Sequence, residues 1–314
     1  MKVLVTGRAI PQQPDRCTGQ QLAEGFRQAG HECVFYGNFY GQPFNYLGAQ
    51  EAQEMDFDLV VVTEMNDGYP GYETLFSHFK LQHVPRLYWD FDVSYHPIVS
   101  YQRATTISYH GYLVGNRYYC GTEEFGRFDK PVLHLPYACS PQIHKKLPEE
   151  EKGYILGFVG SLTEERKRLI ELAKKSAAKR AWIHHAEGVF GDDLVRQTNQ
   201  YYVMFHNNQK ACKGLVPGRP WETAACGTTL LMDRDSYNDF VEFLPERLHK
   251  LIFAYDDDTS LRAWLNQYAM WHNQETMLEL AGETLMYYVH ENHSYKNRAE
   301  RIIEWSKEKK ILRM

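Results

Sequence analysis

The sequence predicts an α/β fold made of two Rossmann-like domains that face a cleft. Three observations carry this expectation: apolar β-type runs alternate with stretches of helical spacing, several runs end at a glycine, and the alternation stops at a charged, proline-bracketed stretch before starting again. Strands that alternate with helices imply parallel sheets with right-handed crossovers. The 314 residues suffice for two such domains, since single domains run to roughly 100–200 residues. With 43 % hydrophobic and 14 % aromatic residues, the chain has the composition of a packed protein rather than a disordered one.

The elements follow in order. Residues 2–6 form an apolar β-type run that Gly7 breaks, and a polar loop covers 8–18. Helical spacing over 19–29 puts Leu22, Ala23 and Phe26 on one face, and Gly30 stands where a helix C-cap belongs before a strand over 32–36. Residues 57–63 (FDLVVVT) are almost continuously apolar, as a strand buried on both faces requires. A helix over 73–81, a strand over 86–91, a short apolar run over 111–114, a helix over 123–128 and a strand over 131–135 complete a first domain of residues 1–140. Residues 141–152 are polar, charged and bracketed by Pro141 and Pro148, the composition of a linker. The grammar restarts in the second domain, residues 153–314. A strand runs over 154–161 and a helix over 163–180, with strands over 181–183 and 201–205. A helix over 219–226 closed by Gly227, strands over 229–232 and 251–255, and helices from 260 to 310 follow.

Several function classes fall away. A formal charge of −5 argues against a large polybasic surface. The first seven residues have no cleavage-site region, and nowhere do 18 apolar residues run together, so neither a signal peptide nor a membrane span is expected. Six cysteines without a C-x-x-C pair predict reduced thiols and a cytoplasmic protein. Neither the dinucleotide G-x-G-x-x-G nor the P-loop fingerprint is present. Asp90-Phe91-Asp92 has D-x-D spacing but stands at a strand end in the first domain, where a polar cleft wall explains it as well as a metal does. His184 and His185 are adjacent on a strand and point to opposite faces, a poor metal pair. The lysines and arginines of the 163–180 helix form a solvated basic face, or alternatively a track for an anionic acceptor.

The most informative stretch is 214–233. A Gly/Pro loop leads into a helix carrying Arg219, Pro220 and Glu222 in its first turn. Free amides there hold an anion, and loop glycines let backbone approach it. Helix-terminal electrostatics alone also favour an early glutamate. The neighbouring residues add more. Arg219, Trp221, Glu222, Ala225 and Gly227, followed by a short apolar strand, resemble the nucleotide-sugar site of GT-B glycosyltransferases. The chain further resembles their spore-maturation (CgeB-like) branch in three segments. Phe158-Val159-Gly160-Ser161 with Arg166 resembles the start of the branch's second domain. His134-Leu135-Pro136-Tyr137-Ala138 with Pro141 resembles the end of its first, and His293 to Arg298 with Trp305 its C-terminal segment. The resemblance spans most of 131–305, and residues 1–130 match only as a generic Rossmann half.

This resemblance implies a glycosyltransferase, hexosyl or pentosyl, that moves sugar from a nucleotide-diphosphate sugar to an acceptor hydroxyl, with retention and without a metal or other cofactor, inversion through Asp92 as base being the alternative. Glu222 would accept hydrogen bonds from the donor's ribose. Arg219 and Arg166, with the amides of Gly160 and Ser161, would neutralise the diphosphate, whose charge dominates the barrier to transfer. Gly218, Trp221 and Thr223 belong to the same donor-binding motif, and the loop at His184 would line the base. The chain departs from the family at Gly214, where many retaining members carry a second glutamate. On the acceptor side the candidates are Asp92, also the candidate catalytic base, His96 and Arg8, all at the carboxyl ends of first-domain strands. The acceptor itself stays open between a small molecule, a glycan, a protein and a modified base in DNA, and a non-catalytic nucleotide-sugar-binding or coat-associated protein is the reading from another class.

Overall fold

The N-terminal apolar run folds as β1 (Lys2–Ala9), longer than its composition suggests because Gly7 continues the strand instead of ending it. A Cβ at Gly7 would meet the Thr63 carbonyl oxygen at 2.5 Å, so glycine lets two backbones approach within the sheet. The computed structural model describes residues 1–9, 17–39, 46–47, 52, 55–63, 81–90, 109–120, 130–176, 183–189, 191–207, 214–269 and 275–312. These form two compact units, Met1–Tyr137 with Ser294–Met314, and Ala138–His293.

In the first unit α1 (Thr18–Gln28) buries Leu22, Ala23 and Phe26, and Gly30 past its end has φ +82°, the left-handed conformation that stops a helix. The further strands are β2 (Glu32–Phe39), β3 (Tyr46–Leu47), β4 (Leu59–Thr63), β5 (Arg86–Asp90), β6 (Gly111–Val114) and β7 (Val132–His134). Their order is β3-β2-β1-β4-β5-β6-β7, and every described pairing is parallel except β2 with β3. All five residues of β4 are buried, as its unbroken apolar run requires. The expected helices over 73–81 and 123–128 lie outside the described residues, apart from one 3-10 turn at Leu81–His83.

The second unit carries β8 (Tyr154–Val159), α2 (Glu164–Ser176), β9 (Ile183–Ala186), α3 (Gly191–Asn199), β10 (Tyr201–His206), α4 (Gly218–Ala225) and β11 (Thr229–Asp233). It continues with α5 (Arg234–Val241), α6 (Glu246–His249), β12 (Phe253–Tyr255), α7 (Asp258–Ala269) and α8 (Glu275–Asn292). The strand order is β12-β11-β10-β8-β9, all parallel. Helices α3, α5 and α6 are not expected from the sequence. Short helices offer little periodicity, though Asp233 caps α5 by accepting from the Ser236 amide at 3.0 Å.

The unit boundaries differ from the expected domains in two ways. Residues 141–152 are no free linker but part of the second unit. Asn199 accepts from the Leu147 amide at 2.9 Å and donates to the Lys145 carbonyl at 3.0 Å, and Lys146 pairs with Glu279 and Glu283 at 2.7 and 2.5 Å. At the other end of the chain, α9 (Tyr295–Glu308) belongs to the first unit, not to the second. Ser294 and Asn297 cap it reciprocally. Its buried Arg298 donates to the carbonyls of Pro136 and Tyr137 at 2.9 and 3.0 Å, and Trp305 packs where Gly111 leaves room.

Candidate functional site

In an open parallel sheet, ligands gather at the carboxyl ends of the strands. At that end of β8 the chain turns through Gly160, whose φ of +148° favours glycine. The Gly160 amide donates to the Ala186 carbonyl at 3.1 Å, and its own carbonyl accepts from His185 Nε2 at 3.0 Å. The His185 ring also stacks on Phe158, with centroids 5.6 Å apart. His184 instead turns to the Tyr201 hydroxyl. Adjacent strand residues alternate faces, so it is His185 and not His184 that reaches the Gly160 turn.

Arg166, in the first turns of α2, bridges two loops. Its Nη1 donates to the Ser161 carbonyl at 3.0 Å, and its Nε and Nη2 donate to the Asn207 carbonyl at 3.2 and 2.8 Å. The guanidinium lies over the Phe158 ring at 5.6 Å. Among the described residues no carboxylate pairs with it, so its charge meets only carbonyl dipoles and is available to an anion.

Helix α4 presents the other predicted group. Pro217 at the N-cap offers no side-chain cap to the first-turn amides. Arg219 and Glu222, three apart, share the partly exposed face and pair at 3.0 Å. Gly218, the first residue of the helix, is half-buried beside them. Trp221 and Thr223 are both 0 % exposed, and Trp221 points away from the Arg219–Glu222 pair to pack on Phe240, Phe243 and His293. The apolar side of an amphipathic helix claims Trp221.

The two guanidiniums act on one point. His206, buried at the end of β10, is pushed down to about 3, by burial first and then by the charges of Arg166 and Arg219. It is therefore a neutral imidazole at physiological pH. Nothing in its residue type marked it as part of the site, although its place at the end of an apolar strand was a usable signal. Gly214, where a second glutamate was looked for, has φ +83° and donates its amide to the buried Asp239 carboxylate at 2.7 Å. A side chain there would be strained, which accounts for the departure.

Beside Asn207, at the ends of β11 and β12, lies a cavity of about 310 Å³. Its lining includes Asp233, Asp235, Asp239, Asp256, Asp257 and Asp258 against two arginines, a field that repels phosphate. This cavity is therefore poorly suited to a diphosphate. Arg8 is exposed near the end of β1 in the first unit, within the strand rather than the loop expected there. Asp92 and His96 lie outside the described residues. Among the described residues, no cluster of three or more His, Cys, Asp or Glu forms a metal-ligand set, and no helix is long and apolar enough to cross a membrane.

Among solved structures the chain is similar to the DNA-modifying enzyme beta-glucosyltransferase, with a TM-score of 0.59 at 13 % identity, covering 99 % of this chain and 100 % of that one. It is also similar to AviGT4, a glycosyltransferase of avilamycin A biosynthesis, with a TM-score of 0.56 at 14 % identity over 98 % and 97 % of the two chains. Alr3699/HepE of Anabaena, solved with UDP and glucose, gives a TM-score of 0.56 at 10 % identity over 98 % and 99 %. At such identities the likeness shows the fold, two Rossmann-like halves of GT-B type. No curated protein matches the chain by sequence. The family described as Glycosyl transferase-like matches residues 144–304, just over half of the chain and all of the site built above from Gly160 to Glu222. The chain belongs to the glycosyl transferase-like family.

Proposed function

We propose that this protein moves a sugar from a nucleotide-diphosphate sugar to an acceptor hydroxyl, with retention at the anomeric carbon and without a metal or other cofactor. The observation that supports this reading is the pairing of functions at one sheet edge. The charges of Arg166 and Arg219 both help to keep the buried His206 neutral, and a carboxylate, Glu222, stands 3.0 Å from Arg219. In glycosyl transfer the bond from the anomeric carbon to the diphosphate breaks as the acceptor oxygen bonds to that carbon. Negative charge grows on the leaving group, and fixed cations aimed there lower the barrier. Arg166 and Arg219 would supply that neutralisation, work that a divalent cation does in other designs. Glu222 would accept hydrogen bonds from the ribose, and the Gly160 turn would bring backbone up to the phosphates. Retention requires the acceptor oxygen to enter on the face that the diphosphate leaves, where a departing phosphate oxygen takes its proton; Asp92 as the base would act from the opposite face and give inversion, and His96 and Arg8 are the acceptor contacts. The CgeB-like branch is our finer placement, on the segments around Gly160, Pro136 and Arg298.

The basic face of α2 gives no support to nucleic acid as acceptor. Lys167, Arg168 and Lys174 are paired with Glu164, Asp258 and Glu171 at 2.7, 2.5 and 3.0 Å.

Hydrolysis and transfer with UDP-, GDP- and TDP-sugars tests the reading. The wild type should release the nucleoside diphosphate from one of them. Glu222→Ala should weaken that donor by about ten- to a hundredfold, the loss of one or two charge-assisted hydrogen bonds. A wild type that binds the nucleotide but neither hydrolyses nor transfers would make it a binding protein instead.

A further inference from the structure

The segment that the composition marks as a linker reaches the carboxylate of the donor site. Residues 140–144 form a tight turn in which the His144 amide donates to the Ser140 carbonyl at 2.7 Å. The Ser140 amide in return donates to His144 Nδ1 at 3.1 Å. An imidazole nitrogen that accepts from a backbone N–H carries no proton, so the proton of neutral His144 sits on Nε2. The ring is 3 % exposed, and Nε2 stands 4.0 Å from Glu222 Oε1, while Arg219 holds Oε2 of the same carboxylate at 3.0 Å. Glu222 is thus hydrogen-bonded by Arg219 at one oxygen, while the His144 ring stands just beyond hydrogen-bond distance of the other.

A second ring locks the pair. His290 Nε2, on α8, lies 2.9 Å from both the His144 carbonyl and the Ala225 carbonyl. Ala225 is the last residue of α4, the helix that carries Glu222. One N–H therefore ties the His144 turn to the helix of its carboxylate partner.

We propose that His144 is a positioning residue of the donor site. Its ring, 4.0 Å from Oε1 in this structure, closes to a hydrogen bond and holds Glu222 in the orientation that accepts ribose hydroxyls once the diphosphate draws Arg219 away. This rests on the donor-site reading above. The physical reason is competition: Arg219 cannot satisfy both a carboxylate and a phosphate with the same N–H, and a carboxylate released by Arg219, its one hydrogen-bonded side-chain partner among the described residues, would be free to rotate. His144 lies on a segment that His290 fixes independently of the ligand, so its ring stays within reach of the carboxylate.

The experiment uses the full chain and two probes. The nucleoside diphosphate is whichever of UDP, GDP and TDP the wild type binds most tightly by calorimetry, and inorganic pyrophosphate is the probe without a ribose. His144→Asn keeps an acceptor for the Ser140 amide but withdraws the donor from Glu222. His144→Gln returns an N–H near the Nε2 position. His144→Asn should weaken the nucleoside diphosphate about three- to tenfold, leave pyrophosphate unchanged, and have no effect in a Glu222→Gln background. His144→Gln should recover most of the loss. Equal weakening of both probes, or the same loss with Glu222→Gln, would show a general structural role and overturn the proposal. So would a nucleoside-diphosphate affinity that His144→Asn leaves untouched. Should the wild type bind neither probe, the donor-site reading itself fails and this inference with it.

Discussion

Replacing Gly25 by alanine tests how the C-terminal helix is packed, because the two contributions to its stability have opposite signs. Gly25 lies inside α1, where alanine in place of glycine favours the helix by about 1 kcal/mol if the new methyl is free. Here it is not free. A Cβ at this position would lie 2.5 Å from the Tyr295 carbonyl carbon and 2.9 Å from the Lys296 amide nitrogen, and would press on the Tyr295 carbonyl oxygen. Ordinary carbon contacts need about 3.5–4.0 Å, so the start of α9 must retreat from α1 by roughly 1 Å. The obstacle is backbone, which cannot swing aside as a long side chain does. Overpacking of this kind costs about 1–3 kcal/mol, and the retreat strips contacts from Tyr295, itself buried. Gly25→Ala should therefore destabilise the first unit by about 1–2 kcal/mol net, or about 2–8 °C in Tm for a unit of this size. Urea unfolding at unchanged m-value reads the change, and trypsin should release the C-terminal segment at Lys296 sooner. A variant more stable than the wild type would mean that α9 does not rest on α1 as described.

Two more outcomes follow from titration. His206 is lowered from 6.5 to about 3, so between those values the unfolded chain binds more protons than the folded one. Its contribution to stability is complete above pH 6.5 and is lost as pH falls toward 3, with a slope of up to about 1.4 kcal/mol per pH unit. His206→Gln should flatten the pH dependence of the urea midpoint over that window, and an unchanged slope would contradict a buried neutral imidazole. Burial pushes the Cys33 thiol up to about 12 and raises Cys226 as well. Iodoacetamide at pH 8 should accordingly leave both unlabelled by mass spectrometry until the chain is unfolded; labelling of the native protein would place them at the surface.

The proposed donor site was partly legible before the fold. Arg219 and Glu222 are three residues apart in a helix-opening stretch, and that spacing alone puts them on one face. Arg166 and the Gly160 turn were marked by the glycine at a strand end. What the spacing did not carry was the competition between core and ligand for the other positions: Trp221 went to the core because the same periodicity that exposes 219 and 222 turns it inward, and Thr223 is buried by tertiary contact instead. The choice of His185 over His184 depends on which face of β9 meets the Gly160 turn, and strand pairing sets that. His144 carries no local signature and His206 only its place at a strand end, since each is set by groups at least 13 residues away in the chain, Arg219 for His206 and Glu222 for His144.

Local chemistry, then, determines the elements and the fold class. Apolar runs make strands, 3.6-residue spacing makes helices, and their alternation makes two parallel sheets, because each of these depends on neighbours a few residues apart. Tertiary contact decides where the units end. Residues 141–152 have the composition of a linker, yet Asn199, Glu279 and Glu283 bind them into the second unit. The last helix follows the second unit in sequence but belongs to the first, because Gly25 and Gly111 leave space for it and the carbonyls of Pro136 and Tyr137 hold Arg298. Gly7 looks like a strand's end and becomes its middle for the same reason. The partner that makes it fit, Thr63, comes more than fifty residues later.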